Sequence, residues 1–137
     1  METIVRKDVD VLANLIKSFE EETDMAKKLL LADILSNLRC ENVKDFLVEV
    51  LDVVEDYTDK IWAAGNLLKF EDERAVEVLK ELVKKVDEGD LYWLLEVIGK
   101  ANNPTSMRLA LYLADTYEKL NKMIDRSYFE KALKEYK

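Results

Sequence analysis

The side chains best placed for chemistry in this sequence are carboxylates that recur at short spacing. Asp52, Glu55, Asp56 and Asp59 surround one helix junction at helical spacing, where their oxygens could together chelate a hard cation such as Ca²⁺. The segment lacks the loop spacing and the turn glycine of an EF-hand. Acid-rich helix ends on a solvated surface are the commoner origin of such clusters. A carboxylate-based metal or small-molecule site is therefore the alternative function and not the favoured one.

Other catalytic chemistry is disfavoured by the residue types that the chain contains. There is no histidine, so no Ser–His or Cys–His pair can activate a nucleophile and no imidazole can bind zinc. Gly65, Gly89 and Gly99 are isolated, which argues against a glycine-rich phosphate-binding loop. We therefore expect a protein that is not an enzyme and that uses neither a cofactor nor a metal ion.

The net charge of −8 limits the kinds of partner that the chain would bind. Nucleic acids and anionic membranes attract clustered Lys and Arg, whereas the basic residues of this chain are interleaved with Glu and Asp. We expect neither as a partner, while a basic protein or peptide is compatible with the charge.

The same composition predicts one intracellular domain over residues 1–137. At this length a chain can bury a hydrophobic core without disulfides, and no polar Gly/Ser-rich linker divides it. No run of about 18 uncharged apolar residues and no secretion signal is visible. The single cysteine, Cys40, is typical of a reducing compartment. We therefore expect a cytoplasmic protein.

Helical periodicity and the scarcity of chain-breaking residues predict an all-α fold. Three Gly and one Pro are too few for the turns of a sheet, whereas helix pairs need few such residues. Apolar stripes and capping residues predict eight helices. They run from Asp8 to Glu21, from the cap Thr23 to Leu38, from the cap Asn42 to Val54, from Tyr57 to Phe70, from the cap Asp72 to the terminating Gly89, from Asp90 to Ala101, from Asn103 to Tyr117, and from Ser127 to the end.

A weak internal similarity links the middle helices. An offset of about 34 residues superposes Gly65 on Gly99 and Arg74 on Arg108, and an offset of about 28 to 30 superposes the stretch 33–51 on the stretch 61–79. The small residues at these positions, in the second helix of each pair, predict close helix packing. An irregular helical bundle and an unrelated array of helix pairs are the alternative architectures.

The segment 63–79 resembles a HEAT-like (armadillo-type) repeat junction of the lyase-type subgroup. An Ala-rich helix with Gly65 leads into Asp72-Glu73-Arg74-Ala75-Val76, although the usual Val-Arg pair is replaced by Ile61-Trp62. The resemblance covers about half of the chain, residues 43–113. It implies a short right-handed solenoid of about four antiparallel helix pairs, an α-α superhelix. It also implies that the second helices line a concave surface that binds proteins.

Two groups of residues on those second helices are the candidate partner-binding site. Trp62 shares a helix face with Asn66 and Lys69, and the equivalent triplet on a later helix is Trp93, Glu96 and Lys100. Tryptophan is a frequent energetic anchor in interfaces. The alternative is that both indole rings are part of the core, packed between neighbouring helix pairs.

The C-terminal helix provides a second candidate surface. Tyr128, Phe129, Leu133 and Tyr136 are predicted to form an aromatic face that no later helix covers, and the alternative is that this helix docks on the seventh helix. Exposed apolar patches mark interfaces, so this face predicts self-association into a homo-oligomer.

Overall fold

The computed structural model describes the backbone of residues 2–136 and the side chains of residues 10–136. All regular secondary structure in this part of the chain is helical. Nine α-helices lie within it: α1 Glu2–Glu21, α2 Met25–Asn37, α3 Lys44–Val53, α4 Tyr57–Leu68, α5 Glu73–Val83, α6 Glu88–Ala101, α7 Pro104–Thr116, α8 Glu118–Met123 and α9 Arg126–Glu135. A short 3₁₀ helix, Glu41–Val43, precedes α3. None of the described helices is both long enough and apolar enough to span a bilayer.

Side chains of Asp and Asn begin most of these helices. Each accepts a hydrogen bond from a backbone N–H in the first turn, which satisfies a donor that has no partner inside the helix. The residues that cap in this way are Asp24, Asp56, Asp72, Asp87, Asn103 and Asp125. Asn103 and Ser106 form a reciprocal capping box, and Pro104 occupies the first turn, as the sequence predicts.

Helices α2, α4 and α6 end in the same unusual way. A residue one to three positions past the end of each helix has a positive φ: Arg39 at 58°, Glu71 at 59° and Asn102 at 48°. The next residue in each case is extended and begins the following helix. These left-handed residues are spaced by 32 and 31 positions, so one junction geometry occurs three times along the chain.

Burial follows the same spacing. Residues four, eight and eleven positions after each left-handed residue are all buried. They are Val43, Ala75 and Ser106; Leu47, Leu79 and Ala110; and Val50, Leu82 and Leu113. The following helices, α3, α5 and α7, therefore present equivalent positions to the core.

Helix α4 is at the centre of the packing. It contacts α3 and α5, its neighbours in sequence, and also α2 and α6, so that α2, α4 and α6 lie side by side in that order. Gly65 on α4 allows the close approach of α6, because a Cβ atom placed there would lie 2.7 Å from the Cβ of Val97. Gly99 would meet nothing within 4 Å, so the prediction that both glycines serve close packing is correct only for Gly65.

Helix α1 joins the fold through its C-terminal half. Phe19 is buried, and its ring meets that of Phe46 edge to face, with centroids 5.3 Å apart. The ammonium of Lys28 lies 4.8 Å from the centroid of the Phe19 ring, a distance at which cation–π attraction operates. This cluster connects α1, α2 and α3.

Several predicted helix ends are wrong by a few residues. Gly89 does not terminate α5: it lies in the first turn of α6, which begins at Glu88 because Asp87 is the cap. Asp24 caps α2 instead of Thr23, and Asp125 caps α9 instead of Ser127. Helix α1 already begins at Glu2. Helix α8 was not predicted, because its six residues are too short to show periodicity.

Candidate functional site

One face of the molecule carries a row of large apolar side chains from α2, α4 and α6. Leu30, Trp62 and Trp93 each lie nine residues before a left-handed residue, so they occupy equivalent positions on neighbouring helices. Leu30 is 63% exposed and both tryptophans are half-buried. The two indole rings are therefore neither fully in the core nor fully on the surface.

A cavity of about 270 Å³ lies beside the tryptophans, and we call it the polar cavity. Five of the six residues predicted to bind a partner line it. The full lining is Asp33, Asn37, Trp62, Gly65, Asn66, Lys69, Trp93, Val97 and Lys100. Glu96, the sixth predicted residue, lies outside this lining, where its carboxylate pairs with Lys100 Nζ at 3.3 Å.

The floor of the polar cavity is a hydrogen-bonded network. The Asn66 amide nitrogen donates to Asp33 Oδ1 at 3.3 Å, and Lys69 Nζ donates to Asn66 Oδ1 at 2.8 Å. Lys69 Nζ also donates to the amide oxygen of Asn37. Asn66 is only 3% exposed, and its amide holds α2 and α4 together from within, so its predicted role in partner binding stays a prediction.

Positive charge is concentrated at the end of the polar cavity where α2, α4 and α6 terminate. Burial lowers the pKa of the Lys69 ammonium, with Asp33 opposing this change and the charges of Arg39 and Lys100 adding to it. Arg39 donates to the backbone oxygens of Ser36 and Asn37 through Nη1, and to that of Ala101 at 3.0 Å through Nη2. Three cations from three helices therefore act on one region.

The indole of Trp93 lies near a cation but makes no hydrogen bond within the described part of the chain. Lys100 Nζ lies 6.0 Å from the centroid of its ring. Its Nε1 atom is buried and has no acceptor among the groups that the structure describes. A buried donor without an acceptor carries a cost of about 1–3 kcal/mol, so Trp93 is held by its apolar contacts and not by a hydrogen bond.

A second concavity, which we call the apolar trough, adjoins the polar cavity. It has a volume of about 510 Å³ and shares Asp33, Trp62, Trp93 and Lys100 with the polar cavity. Its remaining lining is Leu29, Leu30, Val50, Val54, Thr58 and Asp59. The two spaces together form a cleft with an apolar part and a part that carries hydrogen-bonding and cationic groups.

The predicted aromatic face of the last helix is divided in the structure. Tyr128 and Tyr136 are exposed, whereas Phe129 packs against the core and meets the Tyr128 ring edge to face. Leu133 is half-buried and lines a separate cleft with Tyr136, Pro104 and Arg108. Helix α9 docks on α7 through part of this set, which is the alternative that the sequence left open, and self-association through the exposed tyrosines stays a prediction.

The acidic clusters serve local structure. Asp24, Asp56 and Asp87, which belong to the acidic stretches 20–24, 52–59 and 87–90, are helix caps. Glu22 accepts hydrogen bonds from the backbone nitrogens of Thr23 and Asp24. Among the described side chains, no three carboxylates or thiols converge in a way that could hold a metal ion.

Fold and site together define an all-helical domain with an amphipathic cleft across three adjacent helices. No family model matches the sequence, and no curated protein or solved structure matches it either. The cleft is therefore the feature that points to a function.

Proposed function

We propose that this chain is a non-catalytic interaction domain that binds a peptide segment of another protein across the face formed by α2, α4 and α6. In this proposal the domain acts in the cytoplasm as a scaffold, with no nucleic acid or membrane as a partner. The lone thiol of Cys40 and the net charge of −8 support that assignment.

The proposal includes the architecture that the resemblance implies. We propose that the helix pairs form a short HEAT-like right-handed solenoid of about four pairs, with α2, α4 and α6 as second helices on the concave side. The spacing of Arg39, Glu71 and Asn102, and the recurring buried positions after them, support a repeating unit of 31 to 32 residues. Neither of the two offsets suggested by the sequence equals this spacing.

The observation that carries the proposal is the row Leu30, Trp62 and Trp93 beside the apolar trough. Contiguous apolar surface in a concave site is typical of binding sites, and tryptophan side chains often dominate binding energy there. Asp33 and Asp59 line the trough and would accept hydrogen bonds from basic side chains of a partner.

A peptide-display experiment tests the proposal. Peptides selected against the wild-type protein are titrated by fluorescence anisotropy against Leu30→Glu, which places a charge in the row. The matched control is Leu38→Glu, because Leu38 is 56% exposed at the end of the same helix and lines neither the polar cavity nor the apolar trough.

We expect Leu30→Glu to weaken binding at least tenfold and Leu38→Glu to change it less than twofold. Circular dichroism should show both variants folded, since both positions are exposed. Equal loss in the two variants, or selected peptides that bind both as tightly as wild type, would place binding elsewhere and refute the proposal.

A further inference from the structure

We propose that the polar cavity binds the C-terminal carboxylate of the peptide whose apolar side chains occupy the trough. This inference rests on the proposed function and names the chemical group that the cleft recognises.

The first argument is the local excess of positive charge. Lys69 and Lys100 line the polar cavity, and the charge of Arg39 acts on Lys69 from outside that lining. Among the described groups, Asp33 and Glu96 carry the opposing charges. None of the ion pairs recorded among the described side chains includes Arg39 or Lys69. In a chain of net charge −8, such a local excess favours an anionic ligand.

The second argument is the hydrogen-bonding capacity of Lys69. An ammonium has three donors, and the amide oxygens of Asn37 and Asn66 account for two of them. The third is available to a ligand in the cavity that Lys69 lines. Burial lowers the pKa of Lys69, and a carboxylate bound beside it would oppose that change by stabilising the charged form.

The third argument concerns where a bound chain would end. The Arg39 guanidinium connects the terminal carbonyls of α2 to that of Ala101 on α6, at the same end of the helices as Lys69. In the proposal, the bound peptide ends before this bridge. A cavity of about 270 Å³ is large enough for a terminal group, and the side chain next to it would reach Trp62 and Trp93 in the trough.

Asp33 is the group that opposes the proposal. Its carboxylate lines the cavity, so it repels an incoming anion while it holds the Asn66 amide. The proposal therefore predicts that Asp33→Asn strengthens carboxylate binding severalfold, because the amide can still accept from Asn66 Nδ2 without carrying a negative charge.

The test uses N-acetyl-Leu-Leu as a free acid and as its C-terminal amide, titrated at constant ionic strength while tryptophan fluorescence is recorded. We expect the acid to bind at least tenfold more tightly than the amide. Lys100→Met should reduce this preference severalfold without affecting folding, because Lys100 is exposed. Lys69→Met should abolish the preference, and Lys85→Met, an exposed lysine outside the cleft, should leave it unchanged.

Two further probes identify the source of the carboxylate. Acetate should not compete at matched ionic strength, and N-acetyl-Leu-Asp-Leu-amide should bind no better than the simple amide. Competition by acetate at the affinity of the dipeptide, or tight binding of the internal aspartate, would overturn the assignment to a chain terminus.

Equal binding of acid and amide, or no binding of either at millimolar concentration, would also overturn the inference. Neither result would refute the proposed function. That function is tested separately by the peptides selected by display and by the Leu30→Glu variant. If the selected peptides bind and keep their affinity when their C-termini are extended, the inference about the carboxylate fails. The proposal of an interaction domain is then still supported.

Discussion

Helices α4 and α9 have similar lengths, 12 and 10 residues, but very different surroundings. Helix α4 contacts α2, α3, α5 and α6, and seven of its residues are buried. Helix α9 packs on α7, and none of its residues is buried. Since apolar burial is the main stabilising contribution, the free energy of unfolding should depend strongly on α4 and weakly on α9.

The comparison also explains where the cleft lies. A helix with neighbours on four sides has a fixed position, and only such a helix can hold Trp62 and Lys69 at constant distances from α2 and α6. Helix α9 instead presents Tyr128 and Tyr136 on a surface whose position depends on few contacts. A preorganised site is therefore expected on α4 and not on α9.

The largest expected difference comes from shortening a leucine in each helix. Leu67 is fully buried on α4, so Leu67→Ala should destabilise the protein by about 2–5 kcal/mol. Leu133 on α9 is half-buried, and Leu133→Ala should cost less than about 1.5 kcal/mol. Urea unfolding followed by circular dichroism measures both values. Equal costs would show that α9 belongs to the same cooperative core as α4.

The next effect concerns the contact between α4 and α6. Gly65→Ala places a methyl group against Val97 and should destabilise the protein by about 1–3 kcal/mol, since both backbones must shift. Gly99→Ala on α6 meets open space and should stabilise it by about 0.5–1 kcal/mol through lower backbone entropy in the unfolded chain. Thermal unfolding should therefore shift in opposite directions. Shifts of the same sign would contradict the close approach of these helices.

Removing the helix caps of α5 and α9 should also destabilise the protein unequally, by smaller amounts. Asp72→Ala, at the start of α5, should cost about 1 kcal/mol. Asp125→Ala, at the start of α9, should cost less, because α9 can fray without unfolding the core. Urea unfolding at neutral pH compares the two. A larger loss at Asp125 would contradict the weak coupling of α9.

The cap at Asp72 should also depend on pH. The hydrogen bond from Arg74 lowers the pKa of the Asp72 carboxyl below its ordinary value of 3.8. A carboxyl whose pKa is lower in the folded state stabilises the protein above its unfolded pKa, and this contribution is lost as the pH falls through the folded pKa. The stability difference between wild type and Asp72→Ala should accordingly shrink as the solution is acidified, and a constant difference would argue against the ion pair.

The smallest effect is expected at the ion pair between α7 and α9. Arg126 joins Asp115 to Glu130, and all three side chains are at least 40% exposed. Asp115→Asn should therefore change the free energy of unfolding by less than about 1 kcal/mol, and added salt should reduce the change. A loss above 2 kcal/mol would mean that this pair, and not apolar contact, holds α9 in place.

The sequence predicted the helices best where local signals are strong. Asn103 and Pro104 mark the start of α7, and Asp72 marks the start of α5, because caps act within one helical turn. The left-handed residues Arg39 and Glu71 were not predictable, since such positions usually carry Gly or Asn and these side chains give no signal. Without them, the spacing of 31 to 32 residues was missed.

The features of the candidate site also divide into those that follow from local sequence and those that depend on tertiary packing. By itself, the sequence determined that the fold is helical and that Trp62, Lys69, Trp93 and Lys100 lie on the second helices, because helical periodicity is a local property. Only the tertiary structure decided that Asn66 is buried, that Asp33 and Asn37 from α2 complete the cavity, and that the aromatic set of α9 is divided. Those outcomes depend on how closely separate helices approach, which is set at contacts such as Gly65 with Val97 and not by any one helix alone.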